Sequence, residues 1–225
     1  MIKTWVFILF VCVPGFFVLI FLGTWQVQRL AWKESLLNEI STRLNAQPSN
    51  LPLNPRYNAH NYLMTTIEGK IQTKSVHVLI SSRNMGPGFR VISPLLLKDG
   101  RTILIDRGII PEKDKNSVVG LGSINITGYL LWPNETDSFT PDPNFERNIW
   151  FSRDLDKMAD FLETEKILLV ATKLQQHSNF QIQDPTINIP NNHLQYAITW
   201  FLMSGLWLGM SVYFFYRNNL RKRVH

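Results

Sequence analysis

The sequence predicts a membrane hairpin: two transmembrane α-helices that enclose one extramembrane α+β domain with a mostly antiparallel sheet. Residues 4–23 and 197–216 contain no charged side chain. Each run of about 20 residues gives about 30 Å of helix, which matches the hydrocarbon core of a bilayer. All 17 acidic residues lie between Glu34 and Asp184. The apolar ends therefore enclose a polar middle.

Positive charges at the two ends predict the topology of this hairpin. Lys3 precedes the first span, and residues 217–225 form a basic tail after the second. Because positive flanks stay on the cytoplasmic side, both termini are expected in the cytoplasm and the main domain in the periplasm. Bulky residues follow Gly23, which favours an uncleaved anchor over a signal peptide, and no arginine-rich presequence precedes it. The expected location is a bacterial inner membrane.

The first apolar run is expected to continue as an amphipathic helical extension over residues 24–46. Leucines recur every seven residues in this segment, with charged side chains between them. The Pro14–Gly15 pair predicts a kink inside the span. Three prolines within residues 47–55 predict the end of the helix.

Residues 56–184 are expected to form the extracytoplasmic domain. Short runs rich in Val, Ile, Leu and Thr predict strands, and residues 152–163 predict one helix with acidic residues at its start. The Asp99-Gly100 pair predicts a hairpin turn. The six predicted strands are residues 62–71, 76–81, 89–97, 102–110, 124–131 and 167–173.

Composition argues against several classes of function. Five of the 23 basic residues belong to the two ends, so the middle is close to neutral. No basic stripe with interleaved aromatic residues suggests nucleic-acid binding. The single cysteine, Cys12, lies in the first span, which leaves the domain without a disulfide or a thiolate metal site. No nucleophile motif, phosphate loop or carboxylate pair predicts an enzyme.

The densest cluster of unusual side chains is predicted at the outer end of the two helices. His193, Tyr196 and Trp200 share one face of the second helix because they recur at helical spacing. A histidine lone pair binds a metal or heme iron, flat rings enclose a porphyrin, and an arginine pairs with a propionate. A simpler interpretation stays open, since Trp and Tyr are enriched at membrane interfaces without any ligand. The first helix contributes Trp25, Gln26 and Arg29 at the same depth.

The remaining motifs are weaker. His60, His77 and His177 are far apart in the sequence, and each is expected to be solvated or hydrogen-bonded. Arg107-Gly108 and Gly86-Pro87-Gly88 are expected to be turn and strand-end features.

Specific motifs occur at both ends of the chain. Residues 22–33 read LGTWQVQRLAWK, and residues 191–201 read NNHLQYAITWF. These closely resemble the opening and closing signatures of the Surfeit locus protein 1 family of cytochrome c oxidase assembly factors. Residues 86–89 (GPGF) and 104–108 (LIDRG) are similar to its internal blocks. One departure is Ile109, where the family usually has an aromatic residue.

The resemblance implies a two-span, non-enzymatic factor that assists maturation of oxidase subunit I at or near heme a insertion. Its expected partners are cytochrome c oxidase subunit I and the lipid bilayer, with heme a synthase as a further candidate and no nucleic acid. The implied cofactor is transiently bound heme a, with His193 as the iron ligand and the only metal contact. The residues expected to surround that heme are Trp25, Gln26, Arg29, Tyr196 and Trp200.

One function of a different class stays open. A cofactor-free membrane scaffold would stabilise unassembled oxidase subunits through its domain, with the strands around residues 89–110 as the contact surface. A two-span sensor is disfavoured because the predicted cytoplasmic tails are too short to hold an output domain.

Overall fold

The computed structural model describes residues 6–82, 86–174, 180–182 and 191–223. The chain divides into two compact units, Met1–Glu39 with Asn188–His225, and Ile40–Ile187. Long apolar helices make up the first unit, and a sheet dominates the second.

The first long helix, α1, spans Val13–Asn45 and follows a π-helical stretch at Ile8–Cys12. Pro14 explains the stretch, because proline has no N–H and its ring clashes with the carbonyl four residues earlier in a regular α-helix. A wider π-helical turn relieves that clash. The irregularity therefore lies just before the Pro14–Gly15 pair, and the helix ends at Asn45, ahead of the three prolines.

The second long helix, α4, spans His193–Arg223. Leu9–Asn45 and His193–Asn218 are both long and apolar enough to cross a membrane. Only 11% and 6% of their most apolar windows are buried in protein, which distinguishes them from the core helices of a soluble domain. Residues 4 and 5 of the predicted first span, and the last two residues of the predicted tail, lie outside the described residues.

Small residues let α1 and α4 pack closely. A Cβ atom on Gly15 would lie 2.8 Å from the indole ring of Trp207, and one on Gly23 would lie 2.7 Å from the ring of Phe201. The Trp207 indole Nε1–H donates to the Cys12 carbonyl at 2.9 Å. Close backbone approach at small residues is a general means of holding helices together where the hydrophobic effect is weak.

Six strands form the sheet of the second unit, and one short helix, α2 (Tyr57–His60), precedes them. The hydrogen-bonded order is β1-β5-β6-β4-β3-β2, and a further pairing of β1 with β3 closes the sheet into a barrel-like arrangement. The strands are β1 (Met64–Ile71), β2 (Val76–Ser82), β3 (Gly86–Leu97), β4 (Thr102–Pro111), β5 (Leu121–Leu131) and β6 (Leu168–Lys173).

Among the described residues, five of the six strand pairings are antiparallel and one is parallel, so the sheet is mostly antiparallel, as expected, but mixed. β6 lies between β5 and β4; it runs antiparallel to β5 but parallel to β4, with Leu104 opposite Leu168. The helix α3 (Leu155–Leu162) lies in the connection from β5 to β6, and β6 inserts between β5 and β4. Local hydrophobic patterns do not encode this strand order, because the apolar run of β6 suits either strand direction.

Two apolar layers account for the burial pattern of the strands. One cluster fills the sheet interior and includes Leu95, Ile105 and Ile126, each fully buried. The other places Met158 and Leu162 of α3 against Trp150 and the opposite side of the strands. β4 contributes to both layers, which explains why eight successive residues of this strand are buried.

The helix α3 has defined ends. The Asp154 carboxylate accepts a hydrogen bond from the Lys157 backbone N–H at 3.1 Å and caps the N-terminus. Glu163 ends the helix with φ of 57°. The helix is therefore shorter than the predicted residues 152–163.

His77 lies inside the domain rather than at a solvated position. Its Nδ1 atom is 3.0 Å from the Asn148 amide nitrogen, and its ring packs edge-on against Phe89. Burial, together with the nearby Lys115 ammonium, lowers the pKa of His77 to about 4. The imidazole is therefore neutral in the folded protein at pH 7.

This environment predicts an acid-sensitive domain. The ordinary pKa of histidine is 6.5, so between pH 6.5 and about 4 only the unfolded chain takes up the proton. The folding equilibrium should then weaken by roughly tenfold per pH unit over that range and be unaffected by His77 above it. Thermal unfolding of the full chain in detergent at pH 7 and pH 4.5 checks this.

The His77→Gln variant should lose much of that pH dependence. His60→Gln is the control, since it removes a half-buried histidine elsewhere in the same unit. An equal loss of stability on acidification in wild type and His77→Gln would contradict the assignment.

Close packing at Gly15 predicts a second effect. Gly15→Leu should displace Trp207, break its hydrogen bond to Cys12, and cost roughly 1–3 kcal/mol as an overpacked contact. Cys12 is the only cysteine and is 7% exposed, so its labelling rate with a membrane-permeant maleimide reports the separation of the helices. Gly209→Leu is the matched control, because among the described residues no atom beyond its own stretch of helix backbone lies within 4 Å of its Cβ position. Equal labelling rates in the two variants would contradict the packing described.

Candidate functional site

A side-chain contact between the two long helices defines the candidate site. His193 is the first residue of α4, and Gln26 lies in α1. The His193 Nδ1 and Gln26 Oε1 atoms are 2.8 Å apart, and both residues are half-buried. An amide oxygen only accepts hydrogen bonds, so the neutral imidazole tautomer that makes this bond has its proton on Nδ1 and its lone pair on Nε2.

The second ring nitrogen of His193 is therefore available to a ligand. Its Nε2 atom has no hydrogen-bond partner among the residues that the structure describes. Histidines that bind metals characteristically donate their other N–H to an oxygen acceptor, which fixes the tautomer and the ring orientation. Gln26 occupies that supporting position. A further unused acceptor is close in sequence, since Asn191 has a buried Oδ1 without a partner in the described part of the chain.

The donor set fits heme iron better than a bare metal ion. No group of three or more His, Cys, Asp or Glu side chains that could hold a metal occurs in the described residues. One imidazole with a free nitrogen is too few ligands for a zinc site, but it is a usual axial ligand of heme iron. The two apolar helices supply the low-polarity surroundings that a porphyrin requires.

The other predicted site residues have different surroundings. Trp25 and Tyr196 are 48% and 56% exposed, while Trp200 is half-buried. The Arg29 guanidinium lies 4.0 Å from the centre of the Trp32 ring. The structure therefore brings His193 and Gln26 together, whereas Arg29 stacks on an aromatic residue of its own helix.

Trp32 and the hydrogen-bonding role of Gln26 were missed by sequence reasoning. The Arg29–Trp32 contact has a detectable signal, because residues three apart on a helix are neighbours. The Gln26–His193 bond has no such signal, because it depends on how two helices distant in the sequence are rotated about their axes.

The aromatic residues of each helix fall to one side of the residue that makes the interhelical hydrogen bond. Successive residues on an α-helix turn by about 100°, so Tyr196 and Trp200 lie within about 60° of His193 in the same rotational sense. By the same geometry, Trp25 and Arg29 lie on one side of Gln26. This spacing is compatible with a grouping of these side chains around His193, which stays a prediction.

A buried ionic cluster in the second unit serves the fold. Asp106 is fully buried, and its Oδ2 atom lies 2.6 Å from Arg90 Nη1 and 3.6 Å from Arg153 Nη1. Arg153 also pairs with Glu135. Burial raises the pKa of the Glu135 carboxyl, but the hydrogen bonds and charge of Arg153 outweigh it and hold that pKa below its usual value. Paired charges of this kind are costly to separate but do not indicate a reactive group.

The Arg107-Gly108 pair lies within β4 and not in a turn, which corrects the sequence expectation. The register between β3 and β4 shifts here, and Gly108 adopts φ of 106° with its N–H donating to Asp106 Oδ1 at 3.0 Å. Arg107 Nη1 donates to the Val119 carbonyl at 2.7 Å, and burial lowers the pKa of Arg107 to about 10. The LIDRG block therefore builds a β-bulge, and Ile109 packs after it with 2% exposure.

The Gly86-Pro87-Gly88 motif forms the first three residues of β3, the strand-end position that the sequence predicts. His60 accepts a hydrogen bond at Nδ1 from the Arg56 N–H at 2.9 Å. His177 lies outside the described residues.

Known proteins resemble this chain along most of its length. The SURF1 family profile matches residues 14–205. The chain is 30% identical to "Surfeit locus protein 1" of Rattus norvegicus, covering 89% of this chain and 72% of that protein. It is 31% identical to "Surfeit locus protein 1" of Homo sapiens, over 82% and 69%, and 30% identical to a "SURF1-like protein" of Monosiga brevicollis, over 85% and 81%.

The matched region includes α1 from its second residue, the entire sheet and the first part of α4. It therefore includes Gln26, His193 and the elements that position them. The chain belongs to the SURF1 family.

Proposed function

We propose that this chain is an assembly factor for cytochrome c oxidase that holds heme a at its helix pair during maturation of subunit I. The observation that carries the proposal is the Gln26–His193 hydrogen bond, which leaves the histidine Nε2 lone pair for iron. Family membership supports the link to oxidase assembly, since that role is what the resemblance of the end signatures implies.

The residues around His193 suit a large, flat and mostly apolar ligand. Heme iron supplies a coordination position for the imidazole when heme is bound. Gln26 holds the ring in one tautomer and orientation, and the exposed rings of Trp25 and Tyr196 provide apolar surfaces for the porphyrin. Arg29 lies on the same side and carries the charge that a propionate needs.

Placement in a membrane is part of the proposal. The apolar segments of α1 and α4 cross the inner membrane, both termini lie in the cytoplasm, and the sheet domain is periplasmic. Two observations support this arrangement: the length and apolar character of the helices, and the restriction of charge at the chain ends to basic residues. Heme partitions into a bilayer, so a holding site on membrane helices meets its ligand there.

A single protein ligand to the iron suits transient holding of heme better than permanent storage. One imidazole and apolar surfaces provide moderate affinity, and transfer to another protein requires that this bond be exchanged. The partners that the proposal requires are oxidase subunit I as acceptor and, on the supply side, heme a synthase.

Removing the imidazole gives the first prediction from this proposal. His193→Ala should abolish the heme absorption band of the detergent-purified protein. Its melting temperature should not change, because the imidazole lies at the contact between the two helices and not in a hydrophobic core. His60→Ala is the control histidine variant. An unchanged spectrum in His193→Ala would disprove the ligand assignment.

Removing the hydrogen-bond acceptor of the His193 imidazole gives the second prediction. Gln26→Ala should lower heme affinity by roughly 10-fold to 100-fold, the usual effect of removing a hydrogen-bond partner of a metal-bound histidine. Gln26→Glu should retain most of the affinity, since a carboxylate also accepts from Nδ1. Spectral titration with heme measures both, and equal affinity of wild type and Gln26→Ala would show that Gln26 does not support the ligand.

The scaffold alternative has one favourable observation. Phe139 is 90% exposed, and Asp137 Oδ1 accepts hydrogen bonds from the Phe139 N–H and the Thr140 hydroxyl, both at 2.9 Å. A fixed turn that presents an aromatic ring suits contact with another protein. If colourless His193→Ala protein still co-purifies with subunit I and supports oxidase assembly, the scaffold function is favoured over heme holding.

A further inference from the structure

An apolar groove of about 410 Å³ lies between α1 and α4. Val18 and Leu19 border it on α1, and Met203, Leu206 and Met210 border it on α4. This volume is within the range of natural small-molecule sites, and the lining contains no charged side chain. Flexible methionine side chains adapt to an irregular apolar chain.

Two features keep the groove open and dry. Gly15 contributes no side chain, so the Trp207 ring lies directly against the backbone of α1. The polar atom of that ring, Nε1, is already bonded to the Cys12 carbonyl. Trp207 therefore presents only carbon atoms to the groove, and no lining residue carries an unpaired polar side-chain atom.

The groove continues the face that adjoins His193. Met203 and Met210 follow His193 by 10 and 17 residues, which places them about 15–26 Å further along α4. By helix geometry they lie in the same rotational sense from His193 as Tyr196 and Trp200. On α1, Val18 lies seven residues before Trp25 and therefore on nearly the same side of the helix. One face thus runs from the histidine and its aromatic neighbours into a wholly apolar channel.

We propose that this groove holds the isoprenoid side chain of heme a while His193 binds the iron, an inference that rests on the function proposed above. A farnesyl chain extends about 14 Å at ordinary carbon–carbon bond lengths, starting from the porphyrin edge. That reach covers the near end of the groove, since Met203 lies about 15 Å and Met210 about 26 Å along α4 from His193. The groove makes the helix pair selective for hemes that carry such a chain.

A second groove on the opposite side of the pair provides a comparison. It has a volume of about 350 Å³ and is lined in part by Phe16, Leu208 and Ser211. Of its lining residues on α4, Leu208, Val212 and Phe215 turn in the opposite sense from His193, away from Tyr196 and Trp200, and Ser211 lies in line with His193. It is therefore not continuous with the aromatic face, and filling it should leave heme selectivity unchanged.

The test uses heme b, which has no isoprenoid chain, and heme o, which has the chain but lacks the formyl group of heme a. Full-length, heme-free protein in lipid nanodiscs is titrated with each heme and followed by absorption. Wild type should bind heme o at least about tenfold more tightly than heme b, because the tethered chain packs along the groove. Leu206→Trp fills the groove and should remove that difference while leaving heme b affinity unchanged.

Leu208→Trp is the matched control, since it adds the same ring two residues away in the other groove. It should keep the preference for heme o. Equal affinity of wild type for heme b and heme o, as expected if a lipid acyl chain fills the groove, would overturn this inference and leave the proposed function intact. Absence of His193-dependent binding by any of the hemes would overturn both.

Discussion

Close packing of aromatic rings of α4 against the backbone of α1 is the constraint on which the candidate site depends. At Gly15 and Gly23 the aromatic rings of α4 lie where any side chain of α1 would otherwise stand. Within a bilayer such contacts hold helices together through packing, because the hydrophobic effect contributes little between them. The same contacts fix the rotation of both helices, and that rotation brings the amide of Gln26 to the imidazole of His193.

The site follows from this packing with few additional elements. His193 is hydrogen-bonded to Gln26, Trp25 and Tyr196 are exposed, and an apolar groove lies further along the same two helices. Each component is ordinary for a membrane helix pair when taken alone. The proposed heme site requires that they act together, whereas in simple anchoring Trp25 and Tyr196 would serve only at the interface.

Much of this arrangement is readable from the sequence, since uncharged runs, strand patterns and the Asp154 cap are local signals. The sequence predicts Gln26 and His193 at similar heights on the two helices, but their hydrogen bond depends on how the helices are rotated. Three features are not local: the parallel pairing of β6 with β4, the bulge at Arg107-Gly108, and the groove beside Trp207. Each depends on how segments that are distant in the sequence pack together, and local residue patterns do not show this.

Heme a binding at His193 is the proposal from which the other functional proposals follow. It is tested by the absorption spectrum of wild-type protein, purified in detergent from cells with and without heme a biosynthesis. Heme binding predicts a Soret band whose position changes with the heme that the cells make. A colourless protein from both cell types that still co-purifies with subunit I would contradict it and leave the interfacial histidine without a ligand-binding role.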